Sequence, residues 1–195
     1  MAMASKSSNR GSSTVSNPQE DFDAISLLTE DHKKVKTLFK EFEEHHREKD
    51  ADGAAEIATQ ICNELSVHAS LEEELFYPEV RKAMKDGELI NEAEVEHASA
   101  KELIAQIESM DGSEEKFAAT VTVLGEYIDH HVKEEQNEIF PQAKKAKVDM
   151  NALGEKMMER KQELLEEMGL LDDDEVDEDE DDGAGSERQR ATETK

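Results

Sequence analysis

One cysteine, three prolines, nine glycines and no tryptophan stand in a chain of 195 residues. A single thiol, Cys62, excludes an intramolecular disulfide and any metal knot built from paired cysteines. So few glycines and prolines exclude a sandwich or barrel, which needs a tight turn every few residues. Positive charge is scarce as well: 23 Lys and Arg face 50 Asp and Glu, for a net charge of -27. A small soluble domain ordinarily carries about 2–8 charges in magnitude. Nucleic acid and anionic membranes would be repelled by this surface, so neither is an expected partner; cations and basic proteins would be attracted. No apolar run approaches the roughly 20 residues of a membrane span. The opening MAMASKSSNRGSSTVSNPQE has no apolar core of a secretory signal, so a cytoplasmic location is expected.

What is abundant is helix-forming: Ala, Glu, Lys, Leu and Met. Residues 1–20 are polar and expected to be disordered, as is the tail 171–195, where Asp172–Asp182 holds ten acidic residues and one valine. Between them four helical stretches are predicted, at about 22–47, 54–84, 89–110 and 114–146, with Ser113 as an N-cap. Their short connections predict antiparallel neighbours within a bundle over 21–148. A further amphipathic helix over 149–170 carries Leu153, Met157, Leu164, Leu165 and Met168 on one side and is expected to pack outside.

The apolar stripes of the four helices are interrupted by polar residues. His32 follows Ile25 and Leu28 in the first seam; His68 and Glu72 follow Ile61 and Leu65 in the second. His97 sits between Ala93 and Ala100; His131 and Glu135 follow Leu124 and Ile128. One histidine in a seam is ordinarily a satisfied core residue. Two seam glutamates are harder to explain, because desolvating a carboxylate costs several kcal/mol unless a cation or strong donors compensate it.

An internal repeat sharpens the pattern. HASLEEELFYP begins at His68 and HVKEEQNEIFP at His131, each with glutamate at +4 and proline at +10. An acidic residue precedes each earlier histidine (Asp31, Glu96) and a lysine follows four residues on (Lys36, Lys101). The chain reads as two copies of one helical hairpin. Histidine and glutamate at i and i+4 share a helix face, so the copies would set His32, His68 and Glu72 opposite His97, His131 and Glu135. Such a donor set suits a pair of metal ions about 3.5–4 Å apart, with iron, zinc or manganese all compatible. His131 rather than His130 continues the seam; His130 lies about 100° round the helix. His45 and His46 are expected at the surface. The prolines Pro78 and Pro141 predict a kink or helix end in each copy. Tyr127, one turn before His131, is expected to fill or hydrogen-bond within the core.

These residues together resemble the hemerythrin-like, or HHE cation-binding, family: DH at 31–32, HASLEEELFYP, EH at 96–97 and HVKEEQNEIFP. The resemblance implies an all-α, up-down-up-down four-helix bundle with a non-haem di-iron centre. Its ligands would be His32, His68, Glu72, His97, His131 and Glu135. An oxo or hydroxo bridge or dioxygen would be an exogenous ligand. In oxygen carriers of the family a second histidine follows on the third helix, where this chain has Lys101; their bridging aspartate falls at Gln136, so Glu135 takes that part. Glu73 and Glu94 are candidates for a compensating oxygen. The expected function is a module that binds or senses dioxygen or buffers iron. The alternative is an iron-dependent redox enzyme acting on peroxide or nitric oxide, and a structural bundle with incidental metal is a third reading. Expected partners are metal ions and a small diatomic or peroxide ligand, with the acidic tail as a place for a basic protein.

Overall fold

The computed structural model describes residues 23–84 and 87–171, and the described residues contain no strand. The segments read as disordered, 1–20 and all of the tail 171–195 but Leu171, lie outside the described residues. The elements in order are α1 (Ala24–Glu48), α2 (Ala51–Leu71), a π-helical turn (Glu72–Phe76) and α3 (Tyr77–Ala83). Then come α4 (Glu88–Ser109), α5 (Phe117–Glu134), a second π-helical turn (Glu135–Ile139), α6 (Phe140–Lys145) and α7 (Met150–Glu167).

Local chemistry fixes the ends. Asp23 caps α1 by accepting from the Ser26 amide at 2.7 Å, which satisfies a backbone donor that the first turn cannot. α1 stops at Lys49, whose φ of 62° is left-handed, and Asp50 at once caps α2 by accepting from Gly53. That two-residue link, Lys49 and Asp50, uses the polar KDADG predicted to end the first helix. Ser113 does not cap the fourth helix: its amide and hydroxyl both bond to Asp111 Oδ1 in a local turn, and α5 starts only at Phe117.

The two prolines do not end their helices. Each sits second in the helix that follows a π-helical turn. Proline cannot donate to the backbone ladder, and the ladder widens just before it, with the Tyr77 and Phe140 amides bonding back to Glu72 O and Glu135 O. Both wide turns therefore begin on the seam glutamates.

Two apolar clusters fill the interior. One gathers Leu28, Leu71, Phe76, Val80, Ile90 and Phe140; the other gathers Val35, Phe42, Ile61, Leu65, Ile104 and Leu124. Each fully buried side chain of this size contributes about 1.5–3 kcal/mol. Buried His32, His68, His97, His131, Glu72 and Glu135 interrupt the same helices between these clusters. α7 is part of the molecule's core, since Leu153 and Met157 are buried within the first cluster while Met168 is exposed. Cys62 is buried, and burial, aided by Glu108, pushes its thiol up to about 12, so it is not a nucleophile at neutral pH.

Candidate metal centre

All six residues expected from the seams converge. His32 Nε2 and His68 Nε2 are 3.0 Å apart, and so are His97 Nε2 and His131 Nε2. The glutamates cross between these pairs. Glu72 Oε2 lies 3.3 Å from His68 Nε2 and 3.3 Å from His97 Nε2. Glu135 Oε2 lies 3.2 Å from His32 Nε2 and 3.7 Å from His131 Nε2. Each carboxylate thus touches one imidazole of either pair, and both are fully buried.

Around them runs an outer set that follows the repeat. Asp31 faces His68 Nδ1 at 3.6 Å, and its counterpart Glu96 accepts from His131 Nδ1 at 2.7 Å. Glu73 accepts from His97 Nδ1 at 3.0 Å, and its counterpart Gln136 lies 3.5 Å from His32 Nδ1. The acidic residue before each early histidine serves the late histidine of its own hairpin. The residue after each seam glutamate serves the early histidine of the other. The repeat displayed these positions in sequence, but only the fold shows which imidazole each one meets.

This arrangement fits a metal on grounds internal to it. With Nδ1 of His97 and His131 donating to Glu73 and Glu96, both Nε2 atoms are left as lone pairs facing each other. Bare lone pairs at that distance repel, so a proton or cation is called for. Two nitrogens held about 2.1 Å from one ion at a right angle are separated by about 3 Å, which is the spacing observed in both pairs. Among the described residues, Glu72 Oε1 and Glu135 Oε2 are buried with no hydrogen-bond partner, and such atoms require an explanation.

The electrostatics agree. Burial opposes ionisation of Glu72, yet His68 and His97 hold its carboxyl well below the usual range. Burial pulls His68 down, but Glu72, Asp31 and Glu135 outweigh it and raise the imidazole to about 10. His97 is raised too, against its burial, by Glu72 and then Glu135. Asp31 is lowered despite burial by His68 and by Lys161 of α7, which bonds to it. A cation bound between these groups would have to displace the proton that His68 favours.

One residue of the centre was not anticipated. Tyr77 Oη donates to Glu135 Oε1 at 2.9 Å and lies 3.3 Å from Glu72 Oε2 and 3.4 Å from His97 Nε2. In an α-helix residue 77 would point about 140° away from residue 72; the wide π turn brings it back beneath the glutamate. Burial and then the two carboxylates raise its hydroxyl well above the usual range, so it remains a donor. Tyr127, the tyrosine singled out from the seam, is only half-buried and packs on the second apolar cluster.

The remaining candidates lie outside the cluster. Glu94 bonds to Arg81 at 2.7 Å. Glu73 is bound to the far nitrogen of His97 and to Lys101, at 2.6 and 2.7 Å. His130 is exposed and pairs with Glu134 at 3.3 Å. His46 is exposed and stacks on Phe42. His45 is half-buried rather than fully exposed, because its Nδ1 bonds to Asp50 at 2.8 Å across the α1–α2 link.

Comparison with known proteins agrees with this chemistry. The sequence profile of the hemerythrin HHE cation binding domain matches residues 23–143. A DNA nickase of Nostoc sp. is 31% identical over 127 residues, which are 65% of this chain and 35% of that protein. The chain therefore spans about a third of the length of that relative. A crystal structure of a hemerythrin HHE cation binding domain-containing protein from Mycobacterium kansasii matches with a TM-score of 0.59 at 23% identity. It covers 74% of this chain and 88% of that one. At that identity the likeness is one of fold: all-helical and hemerythrin-like.

Proposed function

Since the chain belongs to the hemerythrin HHE cation-binding family, we propose that it is a non-haem di-iron protein that binds or senses dioxygen or buffers iron. The architecture is an up-down-up-down four-helix bundle. Contacts His32–His68 and Lys34–Glu64 support opposed α1 and α2, and Tyr77–His97 and Glu73–Lys101 support opposed second and third helices. His32 and His68 would hold one ion, His97 and His131 the other, with Glu72 and Glu135 shared between them. The observation that carries this reading is the crossed reach of the two glutamates, each within 3.7 Å of an imidazole from either pair.

Bound iron would supply the redox couple that dioxygen binding requires. The chain's own residues do the rest. Glu96 and Glu73 orient His131 and His97 by accepting from Nδ1, which leaves Nε2 free to bind. Tyr77 holds a proton beside both carboxylates.

Among the described residues no helix is long and apolar enough to cross a membrane, and we place the protein in the cytoplasm. The net charge of -27 speaks against a nucleic-acid substrate of the kind that the name of the Nostoc relative implies.

Elemental analysis and the optical spectrum of protein from iron-replete cells test the assignment. Two irons per chain are expected; one metal, or mainly zinc, would overturn it. Anaerobic iron loading followed by air separates the functions: a reversible spectrum marks a binding protein, and steady peroxide or nitric oxide consumption marks the enzyme alternative. His131→Ala should lose metal while His130→Ala keeps two ions, because only His131 faces the cluster. The reverse result would displace Glu135 as a shared ligand.

A further inference from the structure

A cavity of about 1030 Å³ opens between α1 and the α5–α6 segment and reaches all four seam histidines. A diatomic ligand needs a small fraction of that space; pockets for drug-sized organic molecules occupy about 300–1,000 Å³. Its walls are mainly apolar, with Val35, Phe39, Leu65, Ile104, Val121 and Ile128 along them.

The charged residues that line it run against the character of the molecule. Six lysines and three carboxylates border the cavity; with Glu30 and Glu73, which pair with two of those lysines, the balance is one positive charge on a chain whose net charge is -27. Lys33, Lys36 and Lys40 follow one another at spacings of three and four, hence along one face of α1. Lys33, Lys101 and Lys133 are paired with Glu30, Glu73 and Asp129. Lys36, Lys40 and Lys144 are exposed and have no carboxylate within 4 Å among the described residues, although Lys36 also acts on Asp129 across the cleft. An anion would be repelled by most of this surface and attracted here. A purely hydrophilic anion would leave the apolar walls unused, and a neutral hydrocarbon would leave the lysines unused.

We propose that this cleft binds a free fatty carboxylate, its carboxylate held by Lys36 and Lys40 at the rim and its apolar chain laid along the walls toward the four histidines. This deepens the function proposed above by naming an organic ligand for the same centre, and it rests on that reading only for what the metals would do with the bound chain.

The test is a titration of the full-length protein with dodecanoate below its micelle-forming concentration, beside dodecyltrimethylammonium and vesicles of anionic phospholipid. Dodecanoate is expected to saturate at one per chain and to bind at least tenfold more tightly than the cationic analogue. The double variant Lys36→Glu/Lys40→Glu should weaken dodecanoate at least tenfold. Ile128→Trp, which narrows the cleft at a half-buried position, should weaken it as well, with helicity unchanged in both. Equal affinity for the two detergents would overturn the proposal. So would vesicle binding without binding of the free acid, or a charge-reversed protein that binds dodecanoate like the parent. Metal content measured on the same samples separates the two readings: two ions without dodecanoate binding sinks this proposal alone, and dodecanoate binding without metal sinks the di-iron reading alone.

Discussion

Tyr77 places one hydroxyl against both seam carboxylates, 2.9 Å from Glu135 and 3.3 Å from Glu72. The repeat provides its own control. Phe140 stands at the equivalent place in the second copy, buried and stacked on His32 at a ring separation of 5.9 Å. A phenyl ring therefore fits this corner of the centre in one hairpin. Tyr77→Phe should fold and retain its metal while losing the hydrogen bond to Glu135, at a cost of about 1–2 kcal/mol in stability. Thermal unfolding and elemental analysis on the same sample check this. Loss of metal on removal of the hydroxyl would show that Tyr77 acts as more than a donor to the carboxylates. A second asymmetry lies in the outer set, where His97 has the carboxylate of Glu73 and His32 has the neutral amide of Gln136.

α7 shows where reading elements from sequence succeeds and where it stops. Its existence and apolar side were legible, because Leu153 and Met157 recur at helical spacing, and both are buried. Its role was not, because spacing within one helix says nothing about which neighbour it meets. Arg160 reaches Glu74 at 2.8 Å, and Lys161 bonds to Asp31, which in turn faces His68. The helix expected merely to pack outside thus stabilises a charge beside the metal cluster. The six seam residues were legible for the opposite reason: a repeat with glutamate at +4 constrains both copies at once. Tyr77 was missed because the π turn breaks the 3.6-residue period on which the reading relied. Met157 tests whether α7 is integral. It is fully buried, so Met157→Ala should lower unfolding stability by about 2–5 kcal/mol, whereas exposed Met168→Ala should stay within about 0.5 kcal/mol. Urea denaturation decides between them, and equal small effects would return α7 to a loose appendage.

At the scale of the whole molecule, charge opposes folding and metal binding relieves part of that opposition. The net charge of -27 generates self-repulsion in the compact state, and two of the glutamates within that count are buried together in the histidine layer. Repulsion between exposed charges is screened over a Debye length of about 10 Å at 0.1 M salt and about 3 Å at 1 M. The thermal midpoint of the full-length protein should therefore rise as sodium chloride is raised from 10 mM to 500 mM. Residues 172–195 hold twelve acidic and three basic residues, a net of -9, so a chain ending at Leu171 would carry -27 minus -9, or -18. That shortened chain should show a smaller rise with salt. Its metal content should match that of the full chain, because none of the six seam residues lies beyond position 135. Measuring both proteins across the salt series tests the two statements separately. A midpoint of the full chain that is flat or falls with salt would mean that the surface ion pairs, such as Lys34–Glu64 at 2.5 Å and Arg81–Glu94 at 2.7 Å, outweigh the long-range repulsion, since screening weakens those attractions as well.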